Sequence, residues 1–184
     1  QGVFCPKPET PMHASGRMVR DWPDGRGTYF NPNCSFMVWL NVDDHAKIIC
    51  AAKGSNMRDV FEHYIDAVQA LEAAVNKAGY NFMFSDDLGY ITTSPSNLGT
   101  GMKCSVFIQL PAMCDHDQLP ALLEQLQLKS RPVAEHARAN LSAWTPQTRE
   151  VYNEGKLGVS ENDLVQRVCR AADTLVACEK ALAA

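Results

Sequence analysis

The stretch between Asn56 and Ala78 constrains the fold more than any other part of the sequence. Apolar residues recur in it at intervals of three and four: Met57, Val60, Phe61, Tyr64, Ile65, Val68, Leu71 and Val75. This spacing predicts a single amphipathic helix with a broad apolar face. Ser55 or Asn56 can cap the first amides, and Gly79 suits the left-handed position after the last turn. Such a helix needs a sheet or other helices against its apolar side.

Two stretches before this helix predict a hairpin. Ser35–Val42 (SFMVWLNV) is typical of a strand, and Ala46–Ala51 (AKIICA) follows it after a short polar connection. Connections this short join antiparallel strands. Further strands are predicted at Asn81–Phe84 and Lys103–Leu110, so the sheet is expected to be largely antiparallel.

The remaining segments complete one predicted domain of the α+β class, a largely antiparallel sheet flanked by helices. Prolines crowd the start of the chain, residues after 130 lack periodicity, and Ser160 with Asp163 resembles a capping box. The predicted organisation of residues 1–184 is an extended arm (1–33), a region of sheet and helices (34–129) with a short helix at Leu119–Leu126, a long loop (130–158) and a C-terminal helix (159–184).

The composition excludes several classes of protein. The chain has 184 residues, 46% of them hydrophobic, which is too apolar for intrinsic disorder. No apolar run approaches the roughly 20 residues of a membrane-spanning helix, so an integral membrane protein is not expected. Basic residues are scattered and the net charge is −4, which argues against nucleic acid as a partner. Seven cysteines without a CxxC pair predict free thiols in an intracellular reducing compartment and no metal site.

Five ordered motifs resemble landmarks of one enzyme family, the phosphagen kinases, which include the creatine and arginine kinases. The motifs are RDWPDGRG (20–27), VWLNVDDH (38–45), KGSNM (53–57), LGYITTSPSNLGTGM (88–102) and LGVSENDLV (157–165). The resemblance runs over most of residues 12–110 and resumes near 157, which corresponds to the C-terminal part of that family's catalytic domain. It implies the fold predicted above and the transfer of a phosphoryl group between MgATP and a guanidino nitrogen.

The resemblance also implies which positions would carry that chemistry. Asp43 stands where the family has a Glu that aligns the guanidinium, and it is shorter by one methylene, roughly 1.5 Å. Lys47 and Lys103 replace two phosphate-clamping arginines, and Arg131 matches an arginine of the lid loop. Lysine cannot form the planar bidentate fork of arginine. These four residues are therefore predicted to be vestigial catalytic and nucleotide-phosphate positions.

Other departures from the family pattern affect the substrate loops. Ser94 replaces a reactive cysteine, and Glu135 lies in a segment that matches the lid loop but lacks its glycines. Ser94 and Glu135 are the candidate substrate-loop residues. Phe107 stands where the family usually has a histidine, and Val42 where it has a second Glu. The segment 130–158 is accordingly interpreted as a degenerate lid loop.

Structural explanations for these residues remain open beside the functional ones. Asp43 belongs either to a catalytic remnant or to an ordinary acidic hairpin turn. Lys47 and Lys103 are either phosphate ligands or solvated or ion-paired lysines. The loop Ser94–Gly101 keeps its motif either for a ligand or because its turn needs Gly and Asn conformations.

Two functions are compatible with the sequence. The first is a non-catalytic, structural or interaction subunit of a larger assembly, with other protein chains as partners and no cofactor. A peripheral place at a membrane complex is compatible with it. The second is an ATP:guanidino phosphotransferase that uses MgATP or MgADP. The resemblance implies that the second function needs an upstream segment or a sister chain, because the family's small N-terminal domain has no counterpart in these residues.

Overall fold

The structure, a computed structural model, describes residues 11–15, 19–133 and 145–183. The chain divides into an N-terminal unit, Gln1–Ser96, and a C-terminal unit, Asn97–Ala184. Both units combine antiparallel strands with helices, which confirms the predicted α+β class. The single domain predicted over residues 1–184 stays a prediction. Within the described ranges, no helix combines the length and the apolar character needed to cross a membrane.

The N-terminal unit contains a three-stranded sheet, a two-stranded ribbon and one long helix. Its elements are α1 (Pro11–Ser15), β1 (Gly27–Phe30), β2 (Phe36–Leu40), β3 (Ala46–Cys50), α2 (Met57–Lys77), β4 (Phe84–Ser85) and β5 (Gly89–Tyr90). The sheet has the order β1-β2-β3, and both pairs are antiparallel. The predicted hairpin is therefore confirmed, and its register places Trp39 opposite Lys47.

Two predictions for this unit are wrong in part. The segment predicted as an extended arm contains the short helix α1 and the strand β1. β1 forms because it pairs with β2, a contact that the local residue pattern does not reveal. The strand predicted at Asn81–Phe84 is regular only at Phe84–Ser85, where the chain turns back and the rings of Phe84 and Tyr90 lie 5.2 Å apart.

Helix α2 follows the sequence prediction closely. Its N-cap is Asn56, whose side-chain oxygen accepts a hydrogen bond from the amide of Asp59 at 3.5 Å. Gly79 adopts a φ of 84° just beyond the helix, as expected for a residue after the last turn. α2 packs against β3, yet none of its 21 residues is buried.

The C-terminal unit contains a second three-stranded sheet and two helices. Its elements are β6 (Ser105–Gln109), α3 (Leu119–Gln125), β7 (Leu128–Pro132), β8 (Thr148–Asn153) and α4 (Glu161–Leu182). The sheet has the order β6-β8-β7 and is antiparallel. Its core includes Leu110, Val151, Leu164, Val168 and Leu175, all fully buried. The core therefore lies between this sheet and α4, which packs against β6 and β8.

The helices of this unit were predicted correctly and its long loop was not. Ser160 caps α4 by accepting a hydrogen bond from the amide of Asp163 at 3.1 Å. The predicted loop 130–158 contains the end of β7 and all of β8. β8 escaped notice because buried polar residues, among them Thr148, Glu150 and Asn153, interrupt the alternation typical of a strand. The part of the predicted loop between 134 and 144 lies outside the described residues.

Candidate functional site

A buried carboxylate, Glu150, lies on the central strand of the C-terminal sheet. In register it stands between Phe107 of β6 and Arg131 of β7. The residue is only 7% exposed. A carboxylate in such a position needs charged or hydrogen-bonding partners, because removal from water penalises its ionised form.

Two cations meet this carboxylate, and both were singled out from the sequence. The Lys103 ammonium donates to Oε1 of Glu150, and Nε of Arg131 donates to Oε2 at 2.6 Å. The Lys103 and Arg131 side chains are themselves 37% and 60% exposed. The structure thus joins two predicted phosphate positions through one acidic side chain.

Tyr152 completes this group of residues. It lies two positions after Glu150, on the same face of β8. The Lys103 Nζ lies 4.2 Å from the centre of the Tyr152 ring, and Cζ of Arg131 lies 5.7 Å from it. Both distances are within the range of a cation–π contact. Lys103, Arg131, Glu150 and Tyr152 are called the Glu150 cluster.

The charges of the cluster explain the ionisation of its carboxylate. Burial alone would raise the pKa of Glu150. The hydrogen bonds from Lys103 and Arg131, together with their positive charges, outweigh burial and hold this pKa below its ordinary value. Glu150 is therefore ionised at neutral pH, and it satisfies one donor on each cation.

Sequence reasoning missed Glu150 and Tyr152. Both fall in the segment interpreted as a degenerate loop, where no partner strand was foreseen. Glu150 and Tyr152 lie on one face of β8 and Val151 and Asn153 on the other, a division that the order of polar and apolar residues in the sequence does not show.

In the N-terminal unit, Asp43 and Lys47 lie near each other at the β2–β3 connection. Oδ2 of Asp43 is 4.0 Å from Nζ of Lys47, and both side chains are nearly half exposed. Nζ of Lys47 also lies 5.4 Å from the centre of the Trp39 ring. This is a weak, solvated ion pair, since exposed pairs contribute about 0–1 kcal/mol.

Ser94 belongs to a hydrogen-bonded turn. Its backbone amide donates to Oδ1 of Asp44 at 3.0 Å, and its carbonyl accepts from the Thr92 hydroxyl at 2.7 Å. The Ser94 and Ser96 hydroxyl oxygens are 2.9 Å apart. Asp44, which was not among the predicted site residues, thus ties the β2–β3 connection to the turn before the SNLGTG motif.

The glycines of that motif have a structural task within the C-terminal unit. Gly99 has a φ of 101°, and a Cβ placed on it would lie 2.1 Å from the carbonyl oxygen of Lys156. The next amide, of Thr100, donates to the same carbonyl at 3.0 Å. Nζ of Lys156 donates to Oδ1 of Asn97 at 2.5 Å. The close packing of two backbone segments therefore accounts for glycine at position 99.

Two further sequence predictions concern Glu135 and a metal site. Glu135 lies outside the described residues, so its place in the site stays a prediction. In the described part of the chain, no three His, Cys, Asp or Glu side chains form a group that could hold a metal ion.

Comparison with known proteins decides the family. Residues 11–182 match the model of the ATP:guanido phosphotransferase C-terminal catalytic domain. The chain belongs to the ATP:guanido phosphotransferase family. The resemblance to phosphagen kinases drawn from the five motifs is thereby confirmed.

Several relatives of this phosphagen kinase domain are similar over nearly its whole length. Creatine kinase M-type and B-type of Gallus gallus are each 38% identical over 176 residues, which is 96% of this chain and 45% of each relative. A structure of lombricine kinase matches this chain with a TM-score of 0.88 and 32% sequence identity. The match covers 48% of the lombricine kinase chain. The duplicated taurocyamine kinase of Schistosoma mansoni, with bound transition state analog components, has a TM-score of 0.81 at 28% identity, over 96% of this chain and 23% of that one. The chain thus spans less than half the length of these relatives.

Proposed function

We propose that this phosphagen kinase domain has lost phosphoryl transfer and acts as a structural or interaction subunit of a larger assembly of protein chains. The observation that carries the proposal is the Glu150 cluster. The two cations that the resemblance assigns to nucleotide phosphate are engaged by a carboxylate of the same domain. The negative charge that a phosphate would bring is already supplied by Glu150.

The cost of displacing Glu150 supports this reasoning. If a phosphate bound both Lys103 and Arg131, the buried and ionised carboxylate of Glu150 would be left without a cationic partner. Breaking a buried ion pair in this way costs about 3–5 kcal/mol. At 1.4 kcal/mol for each factor of ten, the affinity for MgATP falls by roughly a hundredfold to a few thousandfold.

The N-terminal unit supports the same proposal. The aligning carboxylate is the shorter Asp43, and its neighbour Val42 carries no charge. Asp43 is engaged by Lys47 at the long distance of 4.0 Å. A shift of about 1 Å in a positioning group can cost a hundredfold in rate. Weak nucleotide binding and a misplaced carboxylate therefore act in the same direction.

A phosphotransfer assay tests the proposal. The chain is incubated with MgATP and, in turn, creatine, lombricine, taurocyamine and arginine, and ADP formation is measured. We expect no guanidino-dependent ADP above the rate without acceptor, while Gallus gallus M-type creatine kinase with creatine serves as the positive control. ADP formation that depends on any of the acceptors would overturn the proposal.

One observation favours a second function, an ATP:guanidino phosphotransferase with MgATP or MgADP as substrate. Lys103 and Arg131 converge on one point of the sheet, as two ligands of one phosphate must. Under this alternative Glu150 is a placeholder that MgATP displaces. Lys103→Ala would then abolish nucleotide binding, whereas Lys129→Ala, in the exposed pair with Glu154 on the same sheet, would leave it unchanged. Unchanged binding in Lys103→Ala would remove this alternative.

A further inference from the structure

Arg149 lies on the opposite face of the C-terminal sheet from the Glu150 cluster. It directly precedes Glu150 in β8, and successive residues of a strand point to opposite faces. In register Arg149 stands between Ile108 of β6 and Pro132 of β7. It is therefore separate from the residues assigned to nucleotide phosphate, and a ligand that it binds is independent of phosphoryl transfer.

The guanidinium of Arg149 is only partly satisfied. Its Nη2 donates to the carbonyl of Cys114 at 3.0 Å. Its Nε is buried and has no hydrogen-bond partner in the described part of the chain. Buried donors of folded proteins almost always have an acceptor, because an unmade hydrogen bond costs stability. The Nε–H of Arg149 therefore marks a place where the acceptor of a ligand fits.

A cavity of about 280 Å³ adjoins this guanidinium. Besides Arg149, the residues that line the cavity are Cys114, Asp115, Pro132, Pro146 and Gln147. Pockets for drug-sized ligands have volumes of roughly 300–1,000 Å³, so a ligand of this cavity is small. Two nitrogens on one edge of a guanidinium match the two oxygens of a carboxylate. Arg149 can therefore hold a small carboxylate in a fixed orientation.

The carboxylate of Asp115 gives the cavity a second charge. Within the described ranges, no ion pair joins Asp115 to Arg149. Both residues nevertheless lie near the thiol of Cys114: burial raises the pKa of this thiol, Asp115 raises it further, and the charge of Arg149 lowers it. The lining of the cavity thus carries one positive and one negative charge that are not paired with each other.

Negative charge near the cavity disfavours a simple anion as its ligand. After burial and Asp115, the charge of Glu179 also contributes to the raised pKa of Cys114. The two oxygens of Glu179 accept hydrogen bonds from two backbone amides at 2.8 Å each, which holds this carboxylate in place. Asp115 and Glu179 would repel a phosphate dianion on Arg149. A ligand that carries a cation beside its carboxylate avoids this repulsion and gains a contact with Asp115.

We propose that Arg149 and Asp115 bind a small zwitterion of the amino acid class. Its carboxylate contacts the Arg149 guanidinium, and its ammonium group contacts Asp115. The apolar rings of Pro132 and Pro146, which also line the cavity, suit the methylene groups of such a ligand. This role goes beyond the proposed loss of phosphoryl transfer and does not rest on it, since none of these four residues belongs to the Glu150 cluster.

Nuclear magnetic resonance of the arginine Nε–H groups tests the site directly. The chain is labelled with ¹⁵N-arginine, the Arg149 signal is assigned by its loss in Arg149→Lys, and glycine, γ-aminobutyrate and ε-aminocaproate are added in turn. We expect at least one of these probes to shift the Arg149 signal with a millimolar Kd, as suits a ligand of few atoms. The signal of Arg170, an exposed residue of α4, should not shift.

Variants of both charged residues separate a zwitterion from a simple anion. Asp115→Asn should weaken binding of the zwitterion severalfold and strengthen binding of propionate, which carries the carboxylate alone. Arg149→Gln should weaken binding of both probes at least about tenfold, because a charged hydrogen bond is lost. Arg170→Gln should change neither. Asp115 is exposed, so Asp115→Asn should fold normally and gives a result even where Arg149→Gln does not fold.

Three results would overturn the proposal. An Arg149 signal that no probe shifts would mean that solvent satisfies the guanidinium. Unchanged binding of the zwitterions by Asp115→Asn would mean that the cavity recognises a carboxylate alone. Inorganic phosphate that binds more tightly than every zwitterion would contradict the charge argument. None of these results bears on catalysis, because the test uses no nucleotide.

Discussion

Removing both cations from Glu150 should destabilise the C-terminal unit by more than the two single changes combined. Lys103→Met and Arg131→Met each keep an aliphatic stem and remove one charged hydrogen bond, worth about 1.5–3 kcal/mol. The lower figure applies, because these side chains are 37% and 60% exposed and the other cation remains beside the carboxylate. The two single changes therefore account for about 3 kcal/mol together.

The double variant differs because it leaves the carboxylate without any cation. An uncompensated buried charge costs about 3–5 kcal/mol, and here the upper part of that range applies because the Glu150 side chain is only 9% exposed. The expected coupling between the two changes is therefore about 1–2 kcal/mol, within the range found for residues in one network. Adding Glu150→Gln to the double variant should restore most of the loss.

Urea unfolding followed by circular dichroism at pH 7 measures these free energies, with the slope m compared among variants. Lys129→Met is the matched control: its partner Glu154 is 55% exposed, so the change should cost less than about 1 kcal/mol. A double variant whose cost equals the sum of the single ones would refute the reasoning. A failure of Glu150→Gln to rescue it would do the same.

Three further predictions follow from the same structure. Gly99→Ala should destabilise the protein by at least about 1–3 kcal/mol in urea unfolding, because its Cβ would clash with the Lys156 carbonyl, while Gly155→Ala, which meets nothing within 4 Å, should be nearly neutral. Folding lowers the pKa of Glu150, so the ionised carboxylate stabilises the protein at pH values above its unfolded pKa of about 4.3, and this contribution is lost as the pH falls through the folded pKa. The difference in unfolding free energy between the wild type and Glu150→Gln should therefore shrink below pH 4. A difference that does not depend on pH would contradict this prediction. Burial, with a smaller effect of Cys169, raises the pKa of Cys104 to about 12. Iodoacetamide at pH 8 should therefore alkylate Cys104 only after urea unfolds the protein. Rapid alkylation of Cys104 in the folded protein would contradict this prediction.

Local patterns were enough to predict α2, α3, α4 and the β2–β3 hairpin. The period of α2 and its cap at Asn56, or the capping box at Ser160, depend on residues within a few positions of one another. β8 was missed because it forms by pairing with a segment distant in sequence, β6. β1 pairs with the nearby β2 and was missed because its four residues are too few to show a periodic pattern. The polar residues of β8 that belong to the site also interrupt the pattern typical of a strand. The same residues therefore explain why both the strand and the site residues on it were missed.

The candidate site was predictable only in part, because the pairing of strands that are far apart in sequence brings its residues together. The resemblance to phosphagen kinases singled out Lys103 and Arg131 one by one, from separate segments of the sequence: Lys103 precedes β6, and Arg131 lies in β7. Their convergence depends on the register that places Glu150 beside Arg131. Glu150 was absent from the prediction, because no motif of the resemblance includes it and its burial is a property of the folded sheet.

Calorimetric titration of MgATP into the chain tests the central claim most directly, namely that Glu150 occupies the cations assigned to phosphate. The wild type should give no measurable binding heat at millimolar MgATP. Glu150→Gln should bind at least about tenfold more tightly, because Lys103 and Arg131 are released, whereas Glu154→Gln should behave as the wild type. Micromolar binding by the wild type, unchanged in Glu150→Gln, would contradict the account.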